Sequence, residues 1–169
     1  MQRATHISGS SPTLGLLSFP DDGVASANTS YTPAKWAFDG NPNTIWRTPL
    51  ELAYLPHWLK YDFTAPQIVN QLSQVQCSVA WYQKGIYCSV KDWQIRGSND
   101  DINYTTLAAG TFYKPNSNDT PEVTKNVETW VFSNATAYRY YQIVYLSSWT
   151  HDNVYGNYAA IVDVRFYSI

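Results

Sequence analysis

Trp58-Leu-Lys-Tyr-Asp-Phe63 alternates apolar and polar side chains with a period of two, which is the pattern of a strand lying between a core and water. The same kind of signal recurs in both directions from it. Gln67 to Val75 reads as a second strand. Lys91-Asp-Trp-Gln-Ile-Arg-Gly97 alternates again, with Trp93 and Ile95 on one face. Glu128-Thr-Trp-Val-Phe132 follows, then Tyr138-Arg-Tyr-Tyr-Gln-Ile-Val-Tyr-Leu146, the longest run and rich in aromatic and β-branched residues. Ala160-Ile-Val-Asp-Val-Arg-Phe-Tyr167 closes the series. Ser98-Asn-Asp-Asp-Ile-Asn103 and Lys114-Pro-Asn-Ser-Asn-Asp-Thr-Pro121 carry the turn residues between runs. No amphipathic helix of ordinary length and no internal repeat is visible. Short strands separated by turns predict an antiparallel sandwich or barrel.

The 169 residues suit one domain around one core, with 44% hydrophobic and 14% charged residues. Residues 1–13 are rich in Ser, Gly and Thr and read as a flexible tail, which leaves 14–169 for the domain. Aromatic residues make up 16% of the chain; they fill sandwich cores and also line sugar and protein interfaces. The formal net charge is -2 and no Lys/Arg cluster stands out, which disfavours nucleic acid and anionic membrane as partners. No apolar run is long enough to span a bilayer. The N-terminal residues lack a stretch of signal-peptide type, so either a signal has been removed or the protein reaches its working place without one. Sequons start at Asn28, Asn103, Asn118 and Asn134, but Asn is abundant and chance matches are expected. Cys77 and Cys88 permit one bridge across the neck of a loop, or two buried thiols.

Residues 31–48 read Tyr-Thr-Pro-Ala-Lys-Trp-Ala-Phe-Asp-Gly-Asn-Pro-Asn-Thr-Ile-Trp-Arg-Thr. Asp39-Gly40-Asn41 followed by Asn43-Thr44 is a tight turn dense in oxygen, the donor type a hard cation such as calcium takes six to eight of. An Asx-turn that caps a loop accounts for the same residues.

Ala37-Phe-Asp-Gly-Asn41, Thr44 and Trp46, then Pro56-His-Trp-Leu-Lys-Tyr-Asp62, resemble the discoidin family, also called the coagulation factor V/VIII type C family, whose bacterial members are the family 32 carbohydrate-binding modules. Trp93-Gln-Ile-Arg-Gly-Ser-Asn99, Tyr138 to Tyr145 and Tyr158 to Tyr167 resemble its later strands in the right order, so the resemblance covers roughly residues 24–168. It implies an eight-stranded antiparallel jelly-roll β-sandwich of the galactose-binding-domain kind, with ligand loops at one end, Trp46 and Trp58 in the core, and His57 packing at a loop end. It also implies a structural Ca2+. Its ligands would be the carbonyls of Trp36, Asn41, Thr44 and Val162, the Thr44 hydroxyl, and the carboxylates of Asp39 and Asp163. The family usually has Glu at the last of these places. Trp93 and Trp130 are expected in the core from their strands.

Galactose-binding relatives use a His directly after the turn-motif Trp, then Arg and Asn in a later loop. Here Arg47 stands in the His place, and Ala80-Trp-Tyr-Gln-Lys-Gly-Ile-Tyr87 lacks both the Arg and the Asn. Arg47, Trp81, Tyr82, Lys84, Trp149 and His151 are therefore the candidate ligand contacts, offering rings and donors without specifying galactose. The expected function is a non-catalytic, lectin-like module that binds a glycan or glycoprotein or mediates cell adhesion, at an extracellular or surface location. A structural or interaction domain among other subunits of a surface or virion assembly is the alternative, with a phospholipid-binding module behind it. No Gly-x-Ser-x-Gly elbow, His-Glu-x-x-His motif, phosphate-cradling loop or recognisable carboxylate pair points to an enzyme.

Overall fold

The computed structural model describes residues 2–7, 15–17, 23–49, 55–76, 90–114, 127–149 and 159–169. Its strands are β1 (Thr5–Ile7), β2 (Val24–Ala27), β3 (Trp46–Arg47), β4 (His57–Gln67), β5 (Gln71–Gln76), β6 (Asp92–Ser98), β7 (Thr105–Thr111), β8 (Val127–Val131), β9 (Tyr138–Tyr145) and β10 (Ala160–Tyr167). They form two five-stranded sheets, ordered β1-β8-β5-β10-β3 and β2-β4-β9-β6-β7. Every pairing between these strands is antiparallel. The sandwich predicted from the sequence is present, but with ten described strands rather than eight. A single 3-10 turn, Ala34–Ala37, interrupts the all-β pattern among the described residues, and no helix there is long and apolar enough to cross a membrane.

Residues 2–7, expected in a tail, belong to the sandwich instead. β1 pairs with β8 through Thr5, His6 and Ile7. The Ala4 amide donates to the Ala109 carbonyl at 3.0 Å, and Ala4 is buried. The segment thus lies against the β8 side of one sheet and bridges to Ala109 on the edge strand of the other.

Strand alternation sorts the side chains. On β4, Leu59, Tyr61 and Phe63 are buried while Trp58, Lys60 and Asp62 are only half-buried. Trp58 is thus not a core residue, contrary to expectation. It shares the outer face with Lys60, whose Nζ lies 5.5 Å from its ring, because side chains two apart on a strand share a face. Trp46 and Trp93 are fully buried and Trp130 nearly so. Trp93 stacks on Phe112 at 5.4 Å and meets Trp130 edge-on at 5.5 Å. Each such ring contributes about 1.5–3 kcal/mol through burial. A Cβ on Gly97 would fall 2.4 Å from the Tyr138 ring, so only glycine lets β6 pass beneath that tyrosine.

The register defines two ends. His57 and Trp93 both face Tyr145, Asp92 faces Thr111, Ala160 faces Arg47, Ile161 faces Gln76 and Val75 faces Val127. The connections 48–56, 77–91, 112–126 and 146–159 therefore all leave and re-enter at one end, the loop end. The opposite, turn end has the short links 68–70, 99–104 and 132–137.

Candidate functional site

The oxygen-rich turn lies beside β10. Gly40 has φ +66, in the left-handed region that favours glycine. The Asn41 amide donates to Asp39 Oδ1 at 2.9 Å, and the Asn43 amide to Asn41 Oδ1 at 2.9 Å. Thr44 Oγ1 sits 2.8 Å from both carboxylate oxygens of Asp39 and 2.9 Å from the Asn41 carbonyl. Three of the predicted ligand residues are thereby drawn around one hydroxyl. Trp36 lies in the preceding 3-10 turn, its amide bonded to the Pro33 carbonyl at 3.0 Å.

From the strand side, β10 shifts register against β5 between Ile161 and Asp163, so Val162 has no partner in β5. Asp163 is 6% exposed. Its carboxyl is raised above the usual carboxylate range by burial, Arg165 opposes that shift, and the neighbouring Asp39 charge adds to it. The Gly40 amide is directed at this carboxylate. Asp163 Oδ1 is buried and accepts no hydrogen bond. An orphaned carboxylate oxygen close to a second carboxylate, with an amide carbonyl and a hydroxyl alongside, is a donor set that fits a hard cation.

At the loop end, β3 carries Arg47 on the edge of its sheet. The Arg47 guanidinium lies 4.3 Å over the ring of Tyr31, which is 66% exposed. The pair is fixed by backbone: the Tyr31 amide donates to the Arg47 carbonyl at 2.8 Å, and the Arg47 amide to Thr32 Oγ1 at 2.9 Å. Thr32 Oγ1 in turn donates to the Ile45 carbonyl at 2.7 Å. The cation–π contact holds the guanidinium beside an accessible ring. Tyr31 was not among the predicted contacts, although it opens the stretch that carries the turn motif.

Trp149 stands at another corner of the same end, beyond β9 and next to β6. Its Nε1 donates to the Phe112 carbonyl at 3.2 Å, and Lys91 Nζ lies 5.0 Å over its ring. It is half-buried and its polar edge is committed to the fold, so Arg47 and Trp149 belong to separate corners. Trp81, Tyr82, Lys84, His151, Cys77 and Cys88 lie outside the described residues.

Beneath the loop end the interior is polar. Glu128 Oε1 accepts from the Tyr113 amide at 2.8 Å and from Gln76 Nε2 at 3.3 Å; the same Gln76 nitrogen reaches the Tyr113 carbonyl at 3.2 Å. Tyr145 donates its hydroxyl to Gln74 Oε1 at 2.9 Å. Burial pushes the Glu128 carboxyl up to about 7. The sequence carried a sign of this: Glu128 and Trp130 are two apart on one strand, so a core-facing Trp130 implies a core-facing Glu128.

The amides of three sequons serve the fold. Asn28 Nδ2 donates to the Pro56 carbonyl, Asn103 Nδ2 to Asp100, and Asn134 Nδ2 to the carbonyls of Val69 and Thr136. Asn118 lies outside the described residues.

The chain belongs to the F5/8 type C domain family, which matches residues 22–161. Among solved structures it is similar to the family 32 module of Clostridium perfringens NanJ in complex with galactose. The identity is 21%, the TM-score 0.68, and 91% of this chain and 98% of that one are covered. A second Clostridium perfringens CBM32, in complex with GalNAc-β-1,3-galactose, gives 18%, 0.68, 90% and 99%. A chitosan-binding module from a chitosanase/glucanase of Paenibacillus sp. IK-5 gives 19%, 0.64, 90% and 98%. No curated protein matches the sequence.

Proposed function

We propose that the chain is a non-catalytic carbohydrate-binding module that works outside the cell and grips a glycan at the loop end, with Arg47 and Tyr31 as the core of the contact. The observation that carries this reading is the Arg47 guanidinium stacked on the exposed Tyr31 ring. A sugar presents hydroxyls, which take hydrogen bonds from a planar donor, and an apolar face, which packs on a ring. Both features are offered side by side at the end where the four long connections converge. The sugar-bound structures of similar modules support glycan as the ligand class.

The turn 39–44 and Asp163 would hold calcium through the Asp39 and Asp163 carboxylates, the Thr44 hydroxyl and the carbonyls of Trp36, Asn41, Thr44 and Val162. The orphaned Asp163 oxygen supports this assignment. The ion would supply positive charge that ties the turn to β10.

A glycan array on the protein with calcium present, run beside Arg47→Ala, Tyr31→Ala and Trp149→Ala, tests the binding reading. A hit lost in Arg47→Ala and Tyr31→Ala is expected, with Trp149→Ala weakened less. A blank array for the unmodified chain overturns it.

A further inference from the structure

We infer that Arg165 is the resident cation of the calcium turn: its guanidinium holds the turn against β10 without metal and lowers the affinity of the site for a divalent ion. This inference rests on the calcium reading above. Arg165 and Asp163 are two apart on β10 and share a face. Arg165 Nε donates to Asp163 Oδ2 at 2.6 Å. The far side of the same guanidinium reaches the turn, since a Cβ on Gly40 would lie 3.4 Å from Arg165 Nη2. One positive group thus bonds the strand carboxylate and lies beside the open face of the turn's glycine, while Asp39 adds a second negative charge nearby.

The consequence is electrostatic. A cation between Asp39 and Asp163 must share Asp163 with Arg165 and bind beside its positive charge, which opposes a divalent ion more strongly than a monovalent one. The Arg165 side chain is 40% exposed against 9% for Asp163, so a path toward solvent is open to it when an ion takes its place, at the cost of its hydrogen bond with Tyr167.

The test is calcium titration by calorimetry of the full chain and of Arg165→Gln, Arg165→Lys and Asp163→Asn, with thermal melts in chelator and in saturating calcium. Arg165→Gln is expected to bind calcium at least about tenfold more tightly than the unmodified chain, to melt lower in chelator, and to recover the difference when calcium is added. Arg165→Lys keeps a positive charge and is expected to stay nearer the unmodified affinity. Asp163→Asn is expected to lose binding. Near-ultraviolet circular dichroism of the buried tryptophans checks that each variant is folded. Equal affinity in the unmodified chain and Arg165→Gln overturns this inference while leaving the calcium site standing. Uptake by neither protein overturns the calcium reading and this inference with it.

Discussion

The two ends of the sandwich use polar side chains in opposite ways. At the turn end they bind the chain to itself. The Tyr141 hydroxyl accepts from the Val69 amide at 3.1 Å and donates to the Gln67 carbonyl at 2.7 Å, while Asn134 bridges the same link. Asp100 gathers the amides of Ile102 and Asn103 together with the Ser98 hydroxyl. Arg139 and Asp62 form a two-pronged ion pair at 2.7 and 2.8 Å, and Lys60 closes on Asp101 at 2.6 Å. At the loop end, polar groups are buried without full satisfaction. Gln76 Oε1 and Trp93 Nε1 lie there without a hydrogen-bond partner, and Gln74 Nε2, Trp130 Nε1 and Arg96 Nε are buried unpaired further along the sheets; Glu128 sits beside Gln76. The turn end is held by hydrogen bonds and ion pairs between described residues, whereas the loop end has a buried carboxyl, Glu128, beneath it.

The contrast can be broken most sharply at Tyr141. Tyr141→Ala removes a buried ring that packs on Phe63, Tyr138 and Phe166 and leaves the Val69 amide unpaired. A loss of about 4 kcal/mol is expected in urea unfolding; a loss below about 1 kcal/mol would mean the turn end is not the anchor.

The next effect concerns pH. The folded Glu128 carboxyl titrates at about 7, above its ordinary value of 4.5, so the folded state holds a proton that the unfolded state has released. Stability is fully present below the unfolded value and falls by about 3 kcal/mol as pH rises toward 7. Glu128→Gln should flatten that slope. An unchanged slope in the variant would assign it to another group.

The smallest effect has the opposite sign and lies at the other end. Arg139 beside Asp62 holds that carboxyl below its ordinary range. Its contribution is present above the unfolded carboxylate value and is lost as pH falls through the folded one. Asp62→Asn should cost less than about 1 kcal/mol at neutral pH, as expected of a solvent-screened pair, and should soften acid unfolding alone. A larger loss would place this pair among the main supports of the turn end.

The sequence by itself determined the class of fold, because strand signals are local: β4 and β6 show period-two alternation, and β9 is marked by its run of aromatic and β-branched residues. The oxygen-rich turn was legible for the same reason, since Asp39, Asn41 and Thr44 are neighbours along the chain. Strands without a pattern were not legible. β7, Thr-Thr-Leu-Ala-Ala-Gly-Thr, has no alternation to read, and β1 and β3 are too short to show one. Trp58 went to the outer face because register, not hydrophobicity, decides which side of a strand a ring occupies. Only the tertiary structure could join residues far apart in the chain: Arg47 to Tyr31, Glu128 to Tyr113 and Gln76, and Arg165 to Gly40. Those contacts depend on which strands become neighbours, and pairing between distant segments follows from the packing of two whole sheets, which no short stretch of sequence contains.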